Sequence, residues 1–282
     1  AGVRKTVDAT EEEFAALEQG IRDMAKELPA SAGEIAGVAE QAGQLGIAND
    51  NILDFTRTII DLGESTNLSL EQASTEFARF ANITQMSQDD FSRLGSAVVD
   101  LGNNFATTEA EIVSLGMRLA AQGAQIGLSE AEIMALSTTM SSLGLSAEAG
   151  GTAMSTVMKK IQVAVDEGGD SLQGFADVAG VSSEEFALSF QEKPIEAIDA
   201  FIKGLDRTAQ EGGNLTSTLG DLGISGIRET DTLLRMAGAS DLLSEAVQTS
   251  TNAWSENTAL TEEAQQRYDT FQSKMDVVKN KL

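Results

Sequence analysis

Apolar residues recur along most of the chain at the three-to-four-residue spacing that lines one face of an α-helix. Phe14, Leu17, Ile21 and Leu28 form one such stripe; Ile52, Phe55, Ile59 and Leu62 form another. Three successive sets are cleaner: Phe91, Leu94, Val98 and Leu101, then Ile112, Leu115 and Leu119, then Ile133, Leu136, Met140 and Leu143. A further helix is expected directly after Pro194, a residue tolerated in a first turn, with Ile195, Ile198, Phe201, Ile202 and Leu205 facing inward. No stretch alternates apolar and polar residues with β-branched enrichment, so no strand is assigned. The pattern predicts an all-α fold: a multi-helix bundle of short capped helices with a long C-terminal helix and no sheet.

A repeated tripeptide punctuates these stripes: Gly127-Leu128-Ser129, Gly144-Leu145-Ser146, Gly180-Val181-Ser182 and Gly223-Ile224-Ser225. The glycine is expected to end one helix in the left-handed conformation, the apolar residue to fold back, and the serine to cap the next helix. Glu132, Glu185 and Gln72 stand three residues after Ser129, Ser182 and Ser69, as Glu13 and Glu34 do after Thr10 and Ser31, completing capping boxes. Helices joined this tightly are expected to be antiparallel or sharply angled neighbours. The signals fall at unequal intervals, which disfavours a regular solenoid.

Three regions follow. Residues 1–28 read as an N-terminal amphipathic helix and 29–237 as a folded helical core, with more loop after 166. Residues 238–282 read as one long polar helix in which Leu242, Val247, Trp254, Leu260, Tyr268, Phe271, Met275 and Val278 are spread irregularly, leaving the body toward a coiled coil. A first residue Ala and a last stretch without a helix-ending signal read as a piece of a longer polypeptide.

Composition narrows the chemistry. The chain has 44 Asp and Glu against 19 Lys and Arg, a formal charge of −25. Between Arg57 and Lys159 the basic residues are Arg79, Arg93 and Arg118, too sparse to displace counterions from phosphates, so direct nucleic-acid binding is not expected. The absence of His and Cys removes the usual zinc, haem and iron–sulfur ligands, thiol nucleophiles and Ser-His-Asp triads. Aromatics make up 5% of residues, leaving the core to aliphatic side chains and Ala. No apolar run approaches the ~18 residues of a membrane-spanning helix.

Each candidate site has a plainer explanation. Asp166-Glu167-Gly168-Gly169-Asp170 gathers carboxylates but lacks calcium-loop spacing, and reads as a helix end and turn. Glu11-Glu12-Glu13 suits the positive end of a helix dipole. Gly33-x-x-x-Gly37 and Gly123-x-x-x-Gly127 are weak matches to the small-residue pattern of close helix pairs. Gly150, Gly151 and Thr152 precede a helix but lack the lysine of a phosphate loop, and read as a tight helix crossing. Ser155 with Lys159-Lys160 has the spacing of a dyad but no visible oxyanion donors. No catalytic residue, metal ligand or cofactor is assigned, and the chain is read as a non-enzyme.

Four stretches nevertheless occur in a telling order: Ala39 to Ile47 with Gly46 inside it; Leu53-Asp54-Phe55-Thr56 through Thr66-Asn67-Leu68-Ser69 to Glu71-Gln72-Ala73; Ile126 to Ala131 leading to Ala149-Gly150-Gly151-Thr152-Ala153-Met154; and Leu222 to Arg228 followed by Leu233-Leu234. In order and separation they resemble the core region of phage tail tape measure proteins of the lactococcal type, over roughly residues 27–245. A second Gly where Ala-Gly-Thr is expected, and no aromatic before Gly223, depart from that pattern.

The resemblance implies a structural protein that sets tail length, assembles within the tail tube and leaves ahead of the DNA at infection. It implies a homo-oligomer, trimeric in that family, and contacts with the tail tube protein, assembly chaperones and the tip or baseplate hub. It places the protein in the virion tail, in the host cytoplasm during assembly and at the host envelope, with membrane or periplasmic contact, after ejection. As one helix the chain would reach about 420 Å at ~1.5 Å per residue. The many caps argue instead for a folded module, with measuring done mainly by extended helix elsewhere. A rival function is a membrane-active helical module that refolds on the host bilayer during genome delivery; the acidic charge opposes it, because anionic lipid favours Lys and Arg. A wall hydrolase with two carboxylates ranks third, since no carboxylate pair stands apart from the helix caps.

Overall fold

A computed structural model describes residues 2–281, apart from the side chains at 271 and 273. Among the described residues there are seventeen α-helices, two short 3-10 turns and no strand, so the all-α expectation holds. The chain packs as two compact units: unit 1 holds the residues up to Asn103 together with those from Asn252, and unit 2 holds 104–251.

In chain order the helices begin with α1 (Val3–Thr6), α2 (Glu11–Glu27), α3 (Ala32–Gln44), α4 (Ile52–Ser65), α5 (Leu70–Thr84) and α6 (Phe91–Asn104). Then come α7 (Glu109–Ile126), α8 (Glu130–Ser142), α9 (Ala147–Glu167), α10 (Gly169–Ala179), α11 (Ser183–Glu192), α12 (Pro194–Gln210), α13 (Leu215–Asp221) and α14 (Ile227–Ala237). The last three are α15 (Leu242–Glu256), α16 (Ala259–Tyr268) and α17 (Phe271–Lys281).

Unit 1 is built around α4, which packs against α2, α3, α5 and α16. Its stripe, Ile52, Phe55, Ile59 and Leu62, is almost wholly buried, and the Phe55 ring meets Phe91 edge to face at 4.8 Å. Burying each such side chain contributes roughly 1.5–3 kcal/mol. In unit 2, α7 packs along both α8 and α9, burying Leu115, Leu119, Met134, Met154 and Ile161. A second cluster there joins α10, α11 and α12 through Phe175, with Phe201 at 5.3 Å and Phe186 at 6.4 Å. The α10–α12 approach is backbone to backbone: a Cβ on Gly204 would lie 1.8 Å from the Val178 carbonyl oxygen.

Two expectations about regions need correction. The chain divides near residues 103 and 251 rather than near 28 and 237. The described residues from 238 onward form not one long helix but three, broken at Asn257 and at Asp269-Thr270, and Leu260, Ala264 and Tyr268 are buried within unit 1. The physical reason is Asn257, which stands at φ +53, a left-handed conformation that Asn tolerates better than most residues. With neither Gly nor Pro there, Asn257 itself is the local mark of the break, a weaker one.

Candidate functional site

The chemistry of this chain is concentrated in its helix joints. At four of them the glycine is left-handed: Gly127 at φ +93, Gly144 at +76, Gly180 at +78 and Gly223 at +74. The following apolar residue donates its amide to a carbonyl five residues back: Leu128 to Gly123 at 2.9 Å, Leu145 to Met140 at 3.1 Å, Val181 to Ala176 at 3.1 Å and Ile224 to Leu219 at 2.8 Å. That bond uses a carbonyl that a helix end otherwise leaves unpaired. Gly46, at φ +83, ends α3 in the same way, with Ile47 donating to Ala42.

The serines complete three of the four joints. The Ser129 hydroxyl accepts from Glu132 N–H at 3.2 Å while Glu132 accepts from Ser129 N–H at 2.8 Å. Ser182 and Glu185 do the same at 3.1 Å each way. The Ser146 hydroxyl accepts from Ala149 N–H at 3.2 Å, with no acid to close a box. Ser225 does not cap. The N-cap of α14 is Gly226, whose neighbour three residues on is Glu229, whereas three residues after Ser225 stands Arg228, which cannot accept a hydrogen bond. Ser69 caps α5 through Gln72 N–H, but the Gln72 amide side chain is directed at Glu76 instead of back to Ser69. Thr108 with Glu111 forms a further capping box, at the start of α7.

What sequence periodicity missed is the set of cations that close these joints. The Arg235 guanidinium donates to the Leu143 carbonyl at 3.1 Å, beside Gly144. Arg207 donates to Ala179 at 3.0 Å, beside Gly180, and Lys160 to the Gly223 carbonyl at 2.7 Å. A Cβ on Gly180 would sit 2.8 Å from Arg207 Nη2, so the glycine also makes room for its cation. Each cation meets the negative end of a helix dipole and one of its unpaired carbonyls. At Gly127 the neighbour is Pro194, in the first turn of α12. In unit 1 Arg93 plays the same part at the end of α15, donating to Trp254 O at 2.7 Å and Ser255 O at 3.1 Å.

The remaining candidates fall into structural places. Gly150, Gly151 and Thr152 lie inside α9; a Cβ on Gly151 would be 2.5 Å from Arg118 Cβ on α7, and Thr152 is exposed. Gly123 faces Ile133 of α8 at similarly short range, while Gly37 has open space around it. Ser155 donates to the Arg118 carbonyl at 3.3 Å and Lys160 is engaged at Gly223, so the two do not form a dyad. Gly168 and Gly169, both at positive φ, make the α9–α10 joint, and no three carboxylates among the described residues are grouped to hold a metal ion. Glu13 accepts from Thr10 N–H at 2.6 Å, which holds its carboxyl below the ordinary value.

One buried polar cluster stands in unit 1. The Tyr268 hydroxyl of α16 donates to Asp61 of α4, which Arg57 approaches at 3.9 Å while also pairing with Glu27 at 2.8 Å. Burial pushes the Asp61 carboxyl up, against the pull of Tyr268 and Arg57, and burial with the adjacent carboxylate raises the Tyr268 phenol. The cluster ties the two helices together.

The features gathered here are helix joints, closing cations and one buried polar tie. A family model described as phage-related minor tail protein matches residues 18–220, a span that includes the first three joints. A probable tape measure protein of Halomonas phage phiHAP-1 is 28% identical over 127 residues, covering 42% of this chain and 15% of that protein, so the chain spans a small part of that relative's length. No solved structure matches. With most of its length inside the matched span, the chain belongs to the phage-related minor tail protein family.

Proposed function

We propose that the chain is a folded module of a tail tape measure protein, a non-catalytic part of the virion tail that assembles within the tube and is released at infection. The observation that carries this reading is the family match over residues 18–220 falling on short, capped helices packed in compact units. The module contributes a shaped body to the tape, and the length that sets the tail lies mainly in extended helix elsewhere in the same polypeptide. Its partners are further copies of itself, in the trimer that the resemblance implies, together with tube, chaperone and tip proteins. The charge of −25 suits a protein that shares a tube with DNA without adhering to it.

Mass spectrometry and cryo-EM of purified tails test the reading together. Peptides from residues 18–220 are expected in intact tails, with compact density of this fold in the lumen or at the tip. Tails lacking those peptides would remove the tail assignment. A continuous rod approaching 420 Å, the length at ~1.5 Å per residue, would remove the folded module.

A further inference from the structure

An open cleft of about 550 Å³ lies in unit 1 between α2, α4, α16 and α17. Four of the nineteen basic residues of the chain line it: Lys26 from α2, Arg57 from α4, and Lys274 and Lys281 from α17. Two of the four are committed, Lys26 to Asp23 at 3.0 Å and Arg57 to Glu27 at 2.8 Å. The acids that line the cleft are engaged as well: Glu27 by Arg57, and Asp269 by Gln265 Nε2 at 3.2 Å. Lys274 and Lys281 are exposed and form no ion pair among the described residues, in a chain whose acids outnumber its bases more than two to one.

These two ammonium groups share one face of α17. Lys274, Val277, Val278 and Lys281 have the spacing of a single helical stripe, and all four line the cleft. The rotation of α17 that puts them there is held by Asn280, which donates to the Ala30 carbonyl at 2.9 Å. Two turns separate the lysines, about 10 Å at ~1.5 Å per residue. Between them Val278 is 51% exposed, and Tyr268 lines the same cleft. The stripe offers a cation, an aliphatic centre and a second cation, in a concavity that concentrates their field.

That order selects among anions. A single phosphate would meet one ammonium and leave the valines uncovered. A duplex or an anionic bilayer extends beyond the Debye length of ~8–10 Å, over a surface whose net charge is strongly negative. An amphipathic helix with two carboxylates seven residues apart and an aliphatic side chain between them matches all three elements at once. We propose that this cleft is a docking site for such an acidic helical segment of a partner protein. Lys274 and Lys281 take its carboxylates and Val277 and Val278 its aliphatic side chain. The inference does not rest on the tape reading; it stands for the chain alone.

Fluorescence anisotropy on the whole chain tests it, at about 50 mM salt to limit screening. The probe is a labelled helical peptide of Ala and Gln with two Glu seven residues apart and Leu at the third and fourth positions after the first Glu. Saturable binding is expected, weakened roughly tenfold when both Glu are replaced by Gln. Lys274→Glu with Lys281→Glu should weaken it at least as much, and the gentler Lys274→Gln with Lys281→Gln by less. Lys5→Glu with Lys159→Glu changes the net charge equally at exposed positions outside the cleft, and should leave affinity within about twofold. Val278→Ser should weaken binding of the Leu peptide about threefold and leave a Ser-for-Leu peptide unaffected. The proposal is overturned if the wild type does not bind the peptide, if the two double charge reversals act alike, or if the Gln peptide binds as well as the Glu peptide. It is equally overturned if tripolyphosphate, duplex DNA or phosphatidylserine vesicles displace the probe more effectively than unlabelled peptide does. A doubled solution mass that the Lys274 and Lys281 variants abolish would assign the cleft to a second copy and overturn it too.

Discussion

In unit 2 each of the four joints keeps a local closing bond, and three of them add a cation from 28 to 92 positions away. Leu128, Leu145, Val181 and Ile224 each reach back five residues across a left-handed glycine. In unit 1 the corresponding polar bonds join residues 161 to 207 positions apart: Arg93 to Trp254, Ser96 to Asn257, Tyr268 to Asp61. The same capping chemistry starts helices in both units, and Gly46 ends α3 locally in unit 1 too, so the difference lies in how much of each unit hangs on the distant polar bonds. Local closure repeats, and the loss of one joint leaves the others in place. Distant closure depends on a few contacts that include a buried carboxylate, and a buried charge left without its partner is costly. Unit 2 should therefore yield to backbone clashes and resist single polar deletions, whereas unit 1 should yield to single polar deletions.

The largest effect is expected where two backbones touch. Gly204→Ala places a methyl group 1.8 Å from the Val178 carbonyl oxygen, with no flexible side chain to move aside. A loss of about 3 kcal/mol or more is expected in urea unfolding, confined to the unit 2 transition. A smaller loss, of roughly 1–3 kcal/mol, is expected in unit 1 for Tyr268→Phe, which removes the donor to Asp61. The same loss in both transitions would dissolve the contrast between the units.

Asp61 gives the contrast a pH signature. Its folded pKa is raised, so its contribution to stability is complete below the carboxyl's ordinary value and is lost as pH rises through the folded value. Asp61→Asn, which mimics the protonated form, should gain stability relative to wild type as pH goes from 4 to 7. A difference that stays flat, or runs the other way, would mean the carboxyl is not held out of water. Chemical denaturation at the two pH values reads this directly.

Below these stands the cation at a joint. Arg207→Met keeps most of the aliphatic stem and removes the donors to Ala179 and Val178, for an expected loss of about 1 kcal/mol in unit 2. The smallest effects separate true caps from apparent ones: Ser182→Ala should cost about 1 kcal/mol and Ser225→Ala close to none. Thermal unfolding of the pair checks whether the cap or the tripeptide pattern is what matters.

That last pair shows where sequence is legible and where it stops. A stripe such as Ile52, Phe55, Ile59 and Leu62 declares a helix because period and burial are one fact. A box such as Ser129 with Glu132 is likewise local, complete within four residues. Ser225 shares the tripeptide but has Arg228 in place of an acid three residues on, so the tripeptide alone does not mark a cap. Arg207, Lys160 and Arg235 carry no local mark: each acts on a carbonyl 28 to 92 positions away, a relation that only packing creates. Gly204 was readable only as a small residue within an apolar stripe. The break at Asn257 was hidden because residues on either side favour helix, and the contacts enforcing the turn come from Ser92 and Ser96.

Unit 1 is assembled from two separated stretches of chain, and that has a consequence in time. Its second stretch, from Asn252 onward, leaves the ribosome only after all of 104–251 has been made. At roughly 5–20 residues per second, that interval is on the order of 10 s. Throughout it the Gly95 face that Leu260 comes to cover and the carboxylate of Asp61 lack their partners, while unit 2 has every residue it needs. A newborn chain thus holds one finished body and one awaiting its last piece.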